Sequence, residues 1–170
     1  MCVIIYKPAG ASMPDRDLLY KAYKRNPHGC GLVSPSVRYK GLSYAIFEAK
    51  LKRCKKEEPL LIHFRLATHG SVRRKNCHPF HDAKTNTYFM HNGVMGWAQP
   101  CKDETDSEWV FRKYLQPCID KYGIESEELQ RLSARLIGGS KFAFLQGGNV
   151  RLFGDFAQMN GLYFSNLRFL

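Results

Sequence analysis

Strands at both ends of the chain, helical segments between them and no regular βαβα alternation predict an α+β sandwich, not a doubly wound parallel sheet. Three stretches carry this reading. Leu60-Leu61-Ile62-His63-Phe64-Arg65-Leu66-Ala67 is nearly continuous in apolar residues, the pattern of a strand buried on both faces. Residues 15–25 place Leu18, Leu19, Ala22 and Tyr23 at helical spacing. Near the C-terminus, residues 141–145, 150–153 and 162–164 alternate as strands do, with Gly147-Gly148-Asn149 as the first turn between them.

Taken in order, residues 2–7 read as a short strand, and Pro8 and Gly10 turn the chain away from it. Pro14 stands where the first helix can begin, and that helix ends near Asn26-Pro27. In Asn26-Pro27-His28-Gly29-Cys30-Gly31 the two glycines permit a tight turn or a close backbone approach. Residues 37–47 have β content broken at Lys40-Gly41, consistent with a hairpin or two short strands, and 48–58 read as a charged helix stopped by Pro59. Tyr88-Phe89-Met90 is a strand running into His91-Asn92-Gly93, where Asn-Gly taken alone is a common hairpin signal. Asp106-Ser107-Glu108 opens an amphipathic helix over 109–122, with the acid as its N-cap, and a further helix covers 125–136. No repeat, linker or low-complexity tract divides these elements, and 170 residues fit one domain.

Composition removes several classes of function. The 44% hydrophobic and 24% charged residues are those of a globular protein, and no apolar run approaches the roughly 20 residues needed to span a membrane. The N-terminus lacks the pattern of a secretion signal, so a cytoplasmic location is expected, with the six cysteines as reduced thiols. Cys77-His78 with His81 comes nearest to a metal cluster, but no C-x-x-C or H-x-x-x-H pair supports it, and neither metal nor cofactor is expected. The net charge of +11 favours acidic partners, nucleic acid among them. Only residues 50–56 and Arg73-Arg74-Lys75 concentrate that charge, and no nucleic-acid-binding motif accompanies it.

Two residues call for particular chemistry. Cys2 follows the initiator methionine, so removal of Met1 would give one residue both a thiol and an α-amine. That amine titrates at about 7.7 to 8.0 and is partly neutral near pH 7, able to take the proton of a thiol that ionises near 8.5. Arg65 stands near the end of an otherwise apolar strand, and a buried arginine requires an anionic partner, either a structural acid or a ligand.

The order of the motifs narrows the reading further. Cys2, then Arg65-x-Ala67-Thr68-His69-Gly70, Asn76-x-His78-Pro79, His91-Asn92-Gly93 and Thr105-Asp106-Ser107-Glu108 resemble the glutaminase domain of class II glutamine amidotransferases. These are N-terminal nucleophile (Ntn) hydrolases with a four-layer αββα sandwich. The resemblance covers nearly the whole chain and implies one glutaminase domain over 1–170 with no synthase domain. It implies L-glutamine as substrate, Cys2 as nucleophile, and Asn92 with the Gly93 N–H as the oxyanion hole. Arg65 would hold the α-carboxylate, Thr68 and His69 would line the same end, and Asp106 would hold the α-ammonium. Glutamate and ammonia would result, the ammonia passing to a separate synthase or nucleotide-modifying enzyme.

The sequence departs from the family pattern at two places. Val3 follows the nucleophile where many members have glycine, which would tighten the space around the thiol, and His28 stands where an acid is common, so the bonding of that loop must differ. Two other readings stay open on the sequence: an Ntn amidase for another γ-glutamyl amide, and an inactive basic Ntn domain serving as a nucleic-acid-binding or scaffold protein.

Overall fold

A computed structural model describes residues 2–67 and 70–170. The first half of the chain forms β1 (Val3–Lys7), α1 (Arg16–Arg25), β2 (Cys30–Val33), β3 (Arg38–Gly41), α2 (Tyr44–Leu51) and β4 (Leu60–Phe64). A 3-10 turn (Arg74–Asn76) leads to β5 (Phe80–Asp82) and β6 (Thr87–Asn92). Then come α3 (Asp106–Val110), which continues through a π-helical turn (Phe111–Leu115) into α4 (Gln116–Tyr122), and α5 (Glu127–Leu136). The chain closes with β7 (Lys141–Gln146), β8 (Asn149–Phe153), β9 (Ala157–Met159) and β10 (Leu162–Phe164).

The strands form two antiparallel sheets, one of six in the order β3-β2-β4-β1-β10-β9 and one of four in the order β5-β6-β7-β8. Strand alternation sorts their side chains into three apolar layers. Val3, Ile5, Leu60, Ile62 and Phe64 face Leu19, Ala22, Phe47 and Leu51 of α1 and α2. Ile4, Val33 and Leu61 meet Tyr88, Met90, Ala143 and Leu145 between the sheets. On the far side, Phe89, Phe142 and Phe144 pack on Trp109, Val110, Leu115, Ile119 and Leu129. Three buried layers separate four layers of structure, and the architecture is the αββα sandwich expected.

β1 lies between β4 and β10, so the start of the chain is held inside the larger sheet. All five residues of β4 are buried, as an apolar run without alternation predicts. The strand nevertheless ends at Phe64, short of the expected Ala67. Beyond it the Arg65 N–H donates to Gly29 O (2.8 Å) and its carbonyl accepts from His28 N–H (2.9 Å).

Residues 44–47, expected as strand, are the first turn of α2, and that helix ends at Leu51 instead of reaching Glu58. The Ser43 hydroxyl accepts from Ile46 N–H, and a capped turn places Tyr44 and Phe47 against each other and Phe64. The following segment is tied down from β1: the buried Lys7 ammonium donates to the carbonyls of Lys56 and Glu58. α3 is capped by Thr105, whose hydroxyl accepts from Glu108 N–H, so Asp106 is the first helical residue and not the N-cap. Among the described residues, no helix is long and apolar enough to cross a membrane.

Candidate functional site

The site opens where the inter-sheet layer runs out at the head of β1. Strand alternation puts Cys2 on the same face as Ile4, toward the smaller sheet, whereas Val3 is buried in the layer facing α1 and α2. Val3 therefore points away from the face that carries the thiol. The Leu66 N–H donates to Cys2 Sγ (3.4 Å), and the thiol donates to Leu66 O (3.5 Å). Burial pushes the Cys2 thiol up, while the Leu66 N–H and the Arg65 charge oppose that shift.

The end of the chain reinforces this position. β10 pairs with β1, Ile5 opposite Phe164, which brings Ser165 beside Ile4. Ser165 Oγ accepts from Ile4 N–H (2.8 Å), Ser165 N–H donates to Ile4 O (2.9 Å), and Asn166 Nδ2 donates to Cys2 O (2.8 Å). The periodicity of 162–164 gives no hint of this, because the signal is a polar Ser-Asn pair past a strand whose partner is unknown until the sheet order is known.

Asn92 is the last residue of β6 and faces the larger sheet, with its amide 2.7 Å from Ser165 Oγ. Its Oδ1 is buried without a partner among the described residues. Gly93 follows at φ 146, a conformation that disfavours a side chain, and a Cβ there would stand 2.1 Å from Ser140 Oγ. Asn92-Gly93 is thus a strand end and not a hairpin turn, since β6 pairs with β5 and β7.

Opposite the thiol, Arg65 is 4% exposed and its Nη1 donates to Ser71 O (3.1 Å). Asn76 Nδ2 donates to the same carbonyl (2.9 Å), which gathers the segment around the guanidinium. His28 supplies the altered bonding its loop requires: its Nδ1 accepts from Ala67 N–H (3.0 Å). Asp106 accepts from Met95 N–H (2.9 Å) on Oδ2 and from its neighbour Ser107 N–H (2.8 Å) on Oδ1, so it staples the segment after Gly93 to α3.

Three buried histidines lie beneath. His63 Nε2 donates to His91 O (3.1 Å), His63 and His78 stack with ring centroids 4.1 Å apart, and His91 Nδ1 lies 2.7 Å from Ser107 Oγ. Burial pushes His63 down to about 3, His91 below the ordinary imidazole range and His78 well below it. All three are neutral near pH 7. Neutrality makes His63 Nε2 the protonated nitrogen, because it meets a carbonyl.

Cys2, Arg65, Leu66, Ala67, Gly93 and Asp106 line one pocket with Asn76, His78, His91, Thr105 and Ser107. Of the residues expected from the sequence, Cys2, Arg65, Gly93 and Asp106 meet there, and Asn92 adjoins through Ser165. Thr68 and His69 lie outside the described residues. Sequence reasoning missed Leu66, Ser71, Ser165 and Asn166, which act through backbone groups or through contacts distant in the chain, and it quoted Ser107 only as part of a motif, without its contact to His91. Among the described residues, no group of three or more His, Cys, Asp or Glu could hold a metal ion.

The fold is a four-layer αββα sandwich with a thiol, an arginine and an acid around one pocket, and comparison with known proteins gives the family. A family model described as class II glutamine amidotransferases matches residues 50–150, more than half of the chain. The chain belongs to the class II glutamine amidotransferases.

Two solved structures share the fold. One is glutamine phosphoribosylpyrophosphate (PRPP) amidotransferase from B. subtilis complexed with ADP and GMP, at TM-score 0.61 and 14% identity. The other, described as the allosteric regulatory enzyme of purine biosynthesis, matches at TM-score 0.61 and 16% identity. Each match covers 96% of this chain but only 41% of the other. No curated protein sequence matches the chain.

Proposed function

We propose that this protein hydrolyses the side-chain amide of L-glutamine through a glutamyl thioester on Cys2 and passes the ammonia to an acceptor domain or enzyme, either a synthase or a nucleotide-modifying enzyme. The observation that supports this most is that Cys2, Arg65, Gly93 and Asp106 line a single pocket. A free amino acid has charges at its head and an amide at its tail. Arg65 pairs with the α-carboxylate through two parallel N–H groups, and the stapled Asp106 carboxylate accepts from the α-ammonium. Those opposed charges select a free amino acid over a peptide.

The reaction requires loss of Met1. The freed α-amine of Cys2 takes the Sγ proton, and the thiolate attacks the side-chain carbonyl carbon. The oxygen of the tetrahedral intermediate gains negative charge, which the Asn92 amide and Gly93 N–H stabilise. The ammonium of Cys2 then gives its proton to the departing nitrogen, the C–N bond breaks and ammonia leaves. Water adds to the thioester carbonyl, glutamate departs and the thiol is restored. Burial disfavours the resting thiolate, so the base has a real task. The histidines are buried and neutral: His63 Nε2 meets His91 O and His91 Nδ1 meets Ser107 Oγ, while both ring nitrogens of His78 lack a hydrogen-bond partner among the described residues, and the three pack beneath the pocket without replacing the amine. A cytoplasmic location suits a reaction that needs a free thiol.

Intact-mass spectrometry with an electrophilic glutamine analogue tests this directly. The expected result is a mass lacking methionine that gains one analogue adduct, with Cys2→Ala unlabelled. A protein without Met1 that acquires no adduct, or one labelled equally after Cys2→Ala, would overturn the reading.

A further inference from the structure

Seven ion pairs join cations to carboxylates among the described residues, and Arg38, Lys40, Lys50 and Arg74 belong to none of them. These four line one concavity of about 510 Å³ with Tyr39, Pro79, His81 and Tyr88. It lies on the flank of the sandwich where β3 and β5, the edge strands of the two sheets, come together. Among the described residues, no carboxylate lines it.

Cations on an edge strand often serve only to discourage pairing with another chain, and such guards extend freely into water. Three of these four are instead fixed by neutral acceptors. Arg38 Nη1 donates to the Tyr88 hydroxyl (3.0 Å), Arg74 Nε donates to Lys40 O (3.2 Å), and Lys40 Nζ donates to Lys75 O (3.2 Å) while resting 4.9 Å from the Phe80 ring centroid. Burial pushes the Lys40 ammonium down, and the pull of Glu108 in the other direction comes from beyond ion-pairing distance. The exposed His81 ring stacks on Tyr88, with centroids 4.3 Å apart and planes 15° from parallel. Lys40 and Lys50 are half-buried and Arg38 and Arg74 exposed, and holding these like charges together is unfavourable, most of all at Lys40, unless an anion completes the group.

We propose that this pocket binds the polyphosphate of a nucleoside di- or triphosphate, with Arg38, Lys40, Lys50 and Arg74 on phosphate oxygens and the outer face of His81 against the base. The volume falls in the range of small-molecule sites, roughly 300–1,000 Å³. A nucleic acid strand would need the positive surface to continue along the edge. The adjoining concavity is lined by Ser34, Pro35, Ser36, Val37, Asn86 and Tyr88, with no cation beyond the shared Arg38.

Isothermal titration calorimetry on the full chain with ATP, ADP, pyrophosphate, inorganic phosphate and a short DNA duplex tests the proposal. ATP and ADP are expected to bind saturably and more tightly than inorganic phosphate. Lys50→Glu, and more strongly Lys50→Glu with Arg74→Glu, is expected to weaken ATP by about tenfold or more. Labelling of Cys2 by the glutamine analogue and the circular dichroism spectrum report whether the variants remain folded. No saturable ATP binding, or unchanged affinity in a folded double variant, would overturn the proposal. So would a duplex that binds more tightly than ATP and is weakened by the same substitutions.

Discussion

The two ends of the candidate-site pocket are built from different materials. At one end Cys2 heads β1, Asn92 closes β6 and Ser165 follows β10, and hydrogen bonds of 2.7 and 2.8 Å tie Ser165 to Asn92 and to β1. At the other end Arg65 lies just past β4, and Ser71, Asn76, Thr105 and Asp106 come from connecting segments or the first residue of a helix. Sheets fix an atom through ladders on both sides, while loops fix it through a few side-chain and carbonyl contacts. On the proposed reading, the rigid end performs the chemistry and the looser end recognises the head group. Substitutions at the strand end should then lower kcat, and those at the loop end should raise KM.

The largest effect expected short of removing the nucleophile is at Asn92. Asn92→Ala should lower kcat by about 10² to 10³ with KM nearly unchanged, measured as glutamate release. A rise in KM of similar size would place Asn92 with the recognising groups and dissolve the contrast. Arg65→Lys keeps the charge but loses the two-pronged geometry, and loss of a charged hydrogen bond of about 1.5–3 kcal/mol corresponds to roughly 10- to 150-fold in KM. Equal losses in kcat and kcat/KM would instead mean that the guanidinium engages only the transition state.

The histidines beneath both ends should govern stability in acid. His63, near 6.5 when unfolded, is pushed down to about 3 in the folded protein. Between those values the unfolded chain binds the extra proton, so stability is full above about pH 6.5 and falls as the pH drops toward about 3. His78 and His91 shift in the same direction. Each contributes a slope of up to about 1.4 kcal/mol per pH unit inside its window. Urea midpoints should therefore fall between about pH 6.5 and about pH 5, and His63→Gln should flatten the fall. Midpoints constant over that range would mean that the cluster accepts protons while folded.

The sequence made β4 and α1 legible because an apolar run and helical spacing are local properties. Leu60 to Phe64 announced itself as a buried strand, and α1 lay within a residue of its expected bounds. Residues 44–47 misled because Tyr, Ile and Phe favour strands and nothing local reveals that Ser43 caps a helix whose aromatic residues pack on β4. The motif residues at the site were legible by resemblance, but their supports were not. Gly31 is an example: its two-glycine loop signalled a close approach, yet only the assembled fold shows a Cβ there 1.8 Å from His78 O. Leu66 acts on the thiol through main-chain atoms, which any residue type would provide.

Ser165 was the least visible of these supports, and it gives the finest test of the contrast between the two ends. Its Oγ accepts the Ile4 N–H and retains one hydrogen of its own to donate. Asn92 Oδ1, meanwhile, is buried without a partner among the described residues. Turning the Asn92 amide over about its Cγ satisfies both: the serine hydroxyl donates to Oδ1, and Nδ2 takes the unpartnered position, free to meet an oxyanion. On this reading Ser165 is a positioning residue that sets which end of the amide faces the intermediate. Ser165→Ala should cost about 1 kcal/mol of transition-state stabilisation, near fivefold in kcat, with KM unchanged and Ser165→Thr restoring the rate. A variant that loses only thermal stability while keeping kcat would make Ser165 a structural tie between β1 and β6 and leave the oxyanion donor to be held by the strand end alone.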